Sequence, residues 1–115
     1  MGLPSAGELL EHILESATLS ISYVEGLSKE DFLADKRTQQ AVILNVIVIG
    51  EAATRLMDHH PATIAALPQI EWRSMRGMRN RIANGYYDIN LEVVWETVSV
   101  ALPELIDLID GGGRG

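Results

Sequence analysis

The chain of 115 residues is 47% hydrophobic and 22% charged, contains no cysteine and carries a formal charge of −7. Length and composition describe one folded domain, and the missing cysteines exclude disulfides, thiolate metal sites and cysteine nucleophiles, which fits a cytoplasmic address. The acidic balance excludes a protein that coats nucleic acid or anionic membrane through its overall field, so any polyanion site has to be local.

The first residues, MGLPSAGELLEHILES, lack a positively charged start and carry Glu8, Glu11 and Glu15 where an export signal would be apolar, so no export is expected. From Ser5 onward Leu10, Ile13, Leu14, Ala17, Ile21 and Val24 recur at helical spacing, with Ser5 and Glu8 at capping-box distance and Gly26 as a stop. Ser28 and Asp31 offer a second cap for a short turn holding Phe32 and Leu33. Residues 36–59 contain a β-branched run (Val42, Ile43, Val46, Ile47, Val48, Ile49) compatible with a buried strand. The flanking residues extend the segment past strand length and are mostly good helix formers, so it reads as one long central helix buried on most sides. Its apolar run, residues 41–50, is interrupted by Asn45 and falls short of the roughly 20 residues a spanning helix requires.

His59-His60-Pro61 ends that helix, and a short one over 61–67 follows, stopped by Pro68. From Glu71, Met75, Met78 and Ile82 share one arc of a helix, while Trp72, Arg73, Arg76, Arg79 and Asn80 share another. Gly85 breaks it, Asp88 or Asn90 can cap the next, and Leu91, Val94, Trp95, Val98, Leu102, Leu105 and Ile109 mark a last helix that Pro103 is placed to kink. The expected architecture is an all-α bundle of about five helices over residues 1–110, with a disordered glycine-rich tail at 111–115.

Four of the nine basic residues, Arg73, Arg76, Arg79 and Arg81, fall within residues 73–81 of this acidic chain. One reason for such a cluster is an anionic ligand, because guanidinium groups bind phosphate through paired donors and stay charged when partly buried. The other is ion pairing with surplus carboxylates such as Glu71, Asp88 or the acids of the last helix. Spacing alone does not separate the two.

The stretch MRGMRNRIANGYYDIN, residues 75–90, resembles the signature of the HepT-like toxins of the HEPN superfamily: an arginine, a few residues, a histidine, one residue and a tyrosine. Here Arg79 is followed by Asn80-Arg81-Ile82-Ala83, then Asn84, Gly85 and Tyr86. The segments EDFLADKRTQQAVILNVIVIGEAA and LEVVWETVSVALPELIDLI also look like the family, so the resemblance covers nearly the whole chain. It implies a HEPN-type fold and a metal-independent ribonuclease, in which the motif histidine works on the ribose 2′-hydroxyl or the leaving oxygen and arginine stabilises charge at phosphorus. Arg73, Arg76, Arg79 and Asn80 are then the expected phosphate contacts.

Asn84 stands where the family has histidine. Asparagine moves no proton near neutral pH, so it cannot replace imidazole in acid–base work worth about 10²–10⁴ in rate. It is close to histidine in size and still hydrogen-bonds, so cleavage is expected to be impaired while fold and RNA binding survive. That suits a deliberate inactivation of a toxic protein or a natural variant that lost catalysis.

Positions 79 and 84 stand about 140° apart on a continuous helix, which makes a shared site within one chain awkward. A two-fold dimer that places Arg79 and position 84 of both chains in one cleft resolves this, and the resemblance implies such a homodimer. It also implies a minimal nucleotidyltransferase antitoxin (MntA-like) as partner, which silences the toxin by transferring AMP from ATP to Tyr86, with Tyr87 as the fallback acceptor. Read as residues alone, the two tyrosines also suit ring packing at the core margin.

His12, His59 and His60 find no carboxylate to complete a ligand set, so no metal is expected, and without a glycine-rich phosphate loop no cofactor is expected either. Glu51, inside the apolar central helix, needs a partner, either in a structural ion pair or as the orienting group of an active-site arginine. Trp72 and Trp95 read as core or interface anchors. Two alternatives stand beside the ribonuclease: a non-catalytic module that docks RNA or an acidic protein through its arginine face, and a plain structural bundle. A phosphate-directed face carries no code for which RNA is cut.

Overall fold

The computed structural model describes residues 2–85 and 88–113, which are all-α, with no strand among the described residues. Helix α1 (Ala6–Val24) starts at Ser5, whose hydroxyl accepts the Glu8 N–H at 3.1 Å and donates to the Glu8 carboxylate at 3.4 Å. It stops before Gly26, whose φ of 79° is a left-handed geometry that glycine adopts without strain. A full capping box between Ser28 and Asp31 starts α2 (Lys29–Leu33). Asp35 starts α3 (Lys36–His59), accepting the Thr38 hydroxyl at 2.6 Å and the Thr38 N–H at 3.1 Å. These bonds favour the ionised form and hold the Asp35 carboxyl below its ordinary range.

Helix α3 is the central element, with α1 packed along it on one side and α5 (Trp72–Asn84) on another. Its β-branched run is helical because Val42, Val46, Ile49, Ala53 and Leu56 form a buried stripe at three-four spacing. Burying that stripe outweighs the small helix-propensity deficit of valine and isoleucine. By length and composition α3 could cross a membrane, but it is the core helix of the bundle. Gln39 is buried on α3, and its amide donates to the Phe32 and Leu33 carbonyls at 2.9 and 3.1 Å, satisfying the end of α2.

Pro61 opens the short α4 (Pro61–Ala66). Residues 91–113 then follow one helical path, made of α6 (Leu91–Glu96), a π turn at Thr97–Ala101, α7 (Leu102–Leu108) and a closing π turn at Ile109–Gly113. Pro103 has no N–H and its ring crowds the carbonyl four residues back. The turn before it widens in response, with the Leu102 N–H reaching the Thr97 carbonyl. The adjustment expected at Pro103 therefore sits one turn earlier, and the helical path runs three residues into the tail; residues 114–115 lie outside the described ones. Val94, Val98, Leu102, Leu105 and Ile109 close the core, and the buried Phe32 ring lies 5.4 Å from that of Trp95.

Candidate nucleic-acid interface

Helix α5 carries the arginines, and two contacts set its position. Trp72 is buried, and its indole N–H donates to the Leu67 carbonyl at 3.2 Å, fixing the start of the helix under the turn that follows α4. Helical periodicity alone puts Trp72 on the arginine arc. Its burial agrees with its reading as a core anchor, since Trp72 stands about 20° from Arg79 around the helix, on the side of that arc that packs on the bundle. The second contact is at Gly50 of α3, where an added Cβ would stand 2.4 Å from Arg79 Cβ and 2.9 Å from the Met75 carbonyl oxygen. The two helices therefore meet at a distance that only glycine permits.

That approach lays the Arg79 stem on α3. Its Nη1 is 3.2 Å from Glu51 Oε1, and its Nη2 donates to Thr54 Oγ1 at 3.4 Å. One turn away, Arg76 Nη2 donates to Asp58 Oδ1 at 3.1 Å. The pairs 76 with 58 and 79 with 51 run in opposite chain directions, so α5 lies antiparallel to α3. The carboxylates that meet these arginines thus come from the central helix, not from Glu71, Asp88 or the last helix. Both pairs are partly solvent-facing, and such pairs contribute only about 0–1 kcal/mol each. Their main effect is to hold the guanidinium groups in place.

Among the described residues the buried Nε atoms of Arg76 and Arg79 have no hydrogen-bond partner. A guanidinium has five N–H donors. Arg79 pairs with Glu51 through one terminal nitrogen and directs an N–H of the other at Thr54, which leaves N–H donors on both for the two oxygens of a phosphate. Its side chain is 25% exposed. Arg73 and Asn80 are exposed on the same flank, within an arc of about 120° that also holds Arg76 and Arg79. Among the described residues Arg73 and Arg81 make no ion pair.

Asn84 is exposed as the last residue of α5. The helix is unbroken from Arg79 to Asn84, so the two stand about 140° apart around its axis, and one chain does not bring them to one face. Tyr86 and Tyr87 lie outside the described residues. No group of three or more histidine, aspartate or glutamate side chains gathers as a cation site among the described residues. A groove of about 220 Å³ between α5 and α7 is lined by Val46, Ile49, Met75, Met78 and Leu105 and includes no arginine. Sequence periodicity singles out Glu51 and passes over Gly50, Thr54 and Asp58. Positions 51, 54 and 58 share one face of α3, but which helix covers that face is not a local property.

A family model described as "Ribonuclease HepT-like" matches residues 13–110. The chain is 36% identical over 85% of its length to "Probable ribonuclease HepT" of Thermococcus cleftensis, spanning 86% of that protein. It is 33% identical over 84% of its length to a "Putative RNase" of Caldanaerobacter subterraneus, spanning 83% of it. With another protein so named, from Methanocaldococcus jannaschii, it shares 35% identity over 88% of its length, spanning 81% of that relative. No solved structure matches the chain significantly. With the match running from α1 into the closing turn of the last helical path, the chain belongs to the HepT-like ribonuclease family.

Proposed function

We propose that this chain is the ribonuclease toxin of a cytoplasmic toxin–antitoxin pair, binding the RNA backbone through Arg73, Arg76, Arg79 and Asn80 and impaired in cleavage by Asn84. The observation that carries this reading is Arg79, held at one terminal nitrogen by the Glu51 charge and at the other by the Thr54 hydroxyl. A fixed donor pair of this kind stabilises charge that develops on a phosphate during transfer without having to reorganise. Position 84 is the natural seat of the proton-transfer group, and asparagine there leaves binding without acid–base chemistry.

A homodimer supplies the missing proximity, since position 84 of one protomer can join Arg79 of its partner where α5 alone keeps the two apart. Leu44 and Val48, 62% and 37% exposed, lie on the face of α3 that leads to Glu51, which offers apolar area beside the arginine row for such a contact. In this reading a minimal nucleotidyltransferase antitoxin adds AMP to Tyr86, seven residues after Arg79. The added phosphate places an anion and bulk where the RNA backbone would lie.

The test is cleavage of total RNA, with chelator present, by the parent chain, Asn84→His and the Asn84→His/Arg79→Ala double variant. Cleavage by Asn84→His alone is the expected result. A second reading, an RNA-docking module without cleavage, is favoured by Asn84 itself. It holds if Asn84→His stays inactive while the parent binds single-stranded RNA and Arg79→Ala does not. Mass spectrometry after incubation with the antitoxin and ATP, on the parent and on Tyr86→Phe, tests the acceptor.

A further inference from the structure

We propose that Thr54 is a positioning residue for Arg79, seated for that role by Gly50. The three residues close a small circuit. Arg79 Cβ rests against Gly50, where an added methyl group would stand 2.4 Å away. The Thr54 hydroxyl donates to the Gly50 carbonyl at 2.8 Å, and the same Thr54 oxygen accepts from Arg79 Nη2 at 3.4 Å. Gly50 therefore fixes the base of the arginine side chain directly and its tip through threonine.

The hydroxyl proton is what gives this direction. A threonine oxygen has one hydrogen and two lone pairs. With its hydrogen committed to Gly50, Thr54 presents only acceptor density to the guanidinium. Back-bonding from a helical hydroxyl to the carbonyl four residues earlier is common, and Ser20, Thr97 and Ser99 also make it here. Among the described residues Thr54 alone adds a guanidinium donor to such a bond. Glu51 holds Nη1 by charge, which fixes distance but leaves the plane of the group free to turn about that contact. A second acceptor on Nη2 sets the plane, and so decides where the two remaining donors aim. Valine keeps the shape of threonine and removes the acceptor; serine keeps the acceptor.

This role rests on the reading that Arg79 acts on RNA phosphate, so the experiment has one arm that depends on that reading and one that does not. In the Asn84→His background, Thr54→Val is expected to lower kcat about five- to tenfold with KM changed less than about twofold, the size of one ordinary hydrogen bond, since Thr54 acts on the transition state only through Arg79. Thr54→Ser is expected to stay within about twofold of the Asn84→His protein. Equal kcat in the valine and serine variants overturns the role in catalysis.

The second arm uses the ¹⁵N-labelled parent chain without RNA. The Arg79 guanidinium signals, assigned by their loss in Arg79→Lys, are expected to be resolved for the two Nη groups in the parent and in Thr54→Ser. In Thr54→Val they are expected to average. Unchanged Arg79 signals in a folded Thr54→Val protein overturn the positioning itself, whether or not Asn84→His cleaves RNA. Inactivity of Asn84→His with the expected change in these signals counts against the cleavage reading alone and supports the placement of Arg79 by Thr54.

Discussion

Replacing Gly50 by alanine opposes two effects of similar size. A methyl group at this position would stand 2.4 Å from Arg79 Cβ and 2.9 Å from the Met75 carbonyl oxygen, and the second of these is backbone that no side-chain rotation can move. Ordinary contact between carbon atoms lies at about 3.5–4.0 Å, so α3 and α5 must separate locally by roughly 1 Å. Overpacking of this kind costs about 1–3 kcal/mol. Against it stands the helix propensity of alanine, better than glycine by about 1 kcal/mol. The expected net effect is a loss of about 1 kcal/mol, or about 3–5 °C in Tm for a domain of this size.

Gly77 provides the control on the same helix pair, because nothing lies within 4 Å of a Cβ there. Gly77→Ala should keep only the propensity gain of up to about 1 kcal/mol, which separates the two variants by about 2 kcal/mol. Urea unfolding followed by the fluorescence of Trp72 and Trp95 reads the difference as a shift in midpoint at constant slope. If Gly50→Ala raises the midpoint as much as Gly77→Ala does, the two helices do not meet at Gly50. The seat assigned to Arg79 then falls with that contact.

Trp72→Phe keeps an aromatic ring in the core but leaves the Leu67 carbonyl without its indole donor. A loss of about 1–3 kcal/mol in urea unfolding is expected, and a neutral result would show that water replaces the bond. Asp35→Asn keeps a helix cap but removes the charge that Thr38 stabilises. Since the folded carboxyl titrates below its ordinary value, this stabilisation is full above the unfolded pKa and is lost as pH falls through the lowered folded pKa. The stability gap between parent and Asp35→Asn should therefore be flat from neutral pH down to about 4 and shrink only below it; a gap that shrinks between pH 7 and 5 contradicts the assignment.

Much of the fold is legible in the chain because its signals are local. Ser28 with Asp31 encodes its own cap through two bonds that span three residues, and Gly26 ends α1 by the one backbone angle it can adopt freely. The buried stripe from Val42 to Leu56 repeats at helical period, so the long central helix can be read despite its β-branched content. Pro103 announces a disturbance, although whether the helix kinks, breaks or widens into a π turn depends on what packs around it.

The candidate site divides in the same way. The arginine row on α5, the asparagine at position 84 and the family resemblance are properties of residues in order along the chain. The spacing of Arg79 and Asn84 is enough to show that a single helix cannot present both on one face. The partners of the arginines are a different matter, because Asp58 and Glu51 lie 18 and 28 positions away in sequence and meet Arg76 and Arg79 only when α5 docks antiparallel on α3. That docking depends on Gly50, whose missing side chain gives no periodic signal, and on Trp72, whose indole meets the Leu67 carbonyl outside the helix. The sequence by itself determined the helices and the chemistry they carry, since those arise from interactions within a few residues. Only the tertiary structure decided which carboxylate and which hydroxyl hold Arg79, because close packing between distant segments depends on the shape of both surfaces at once.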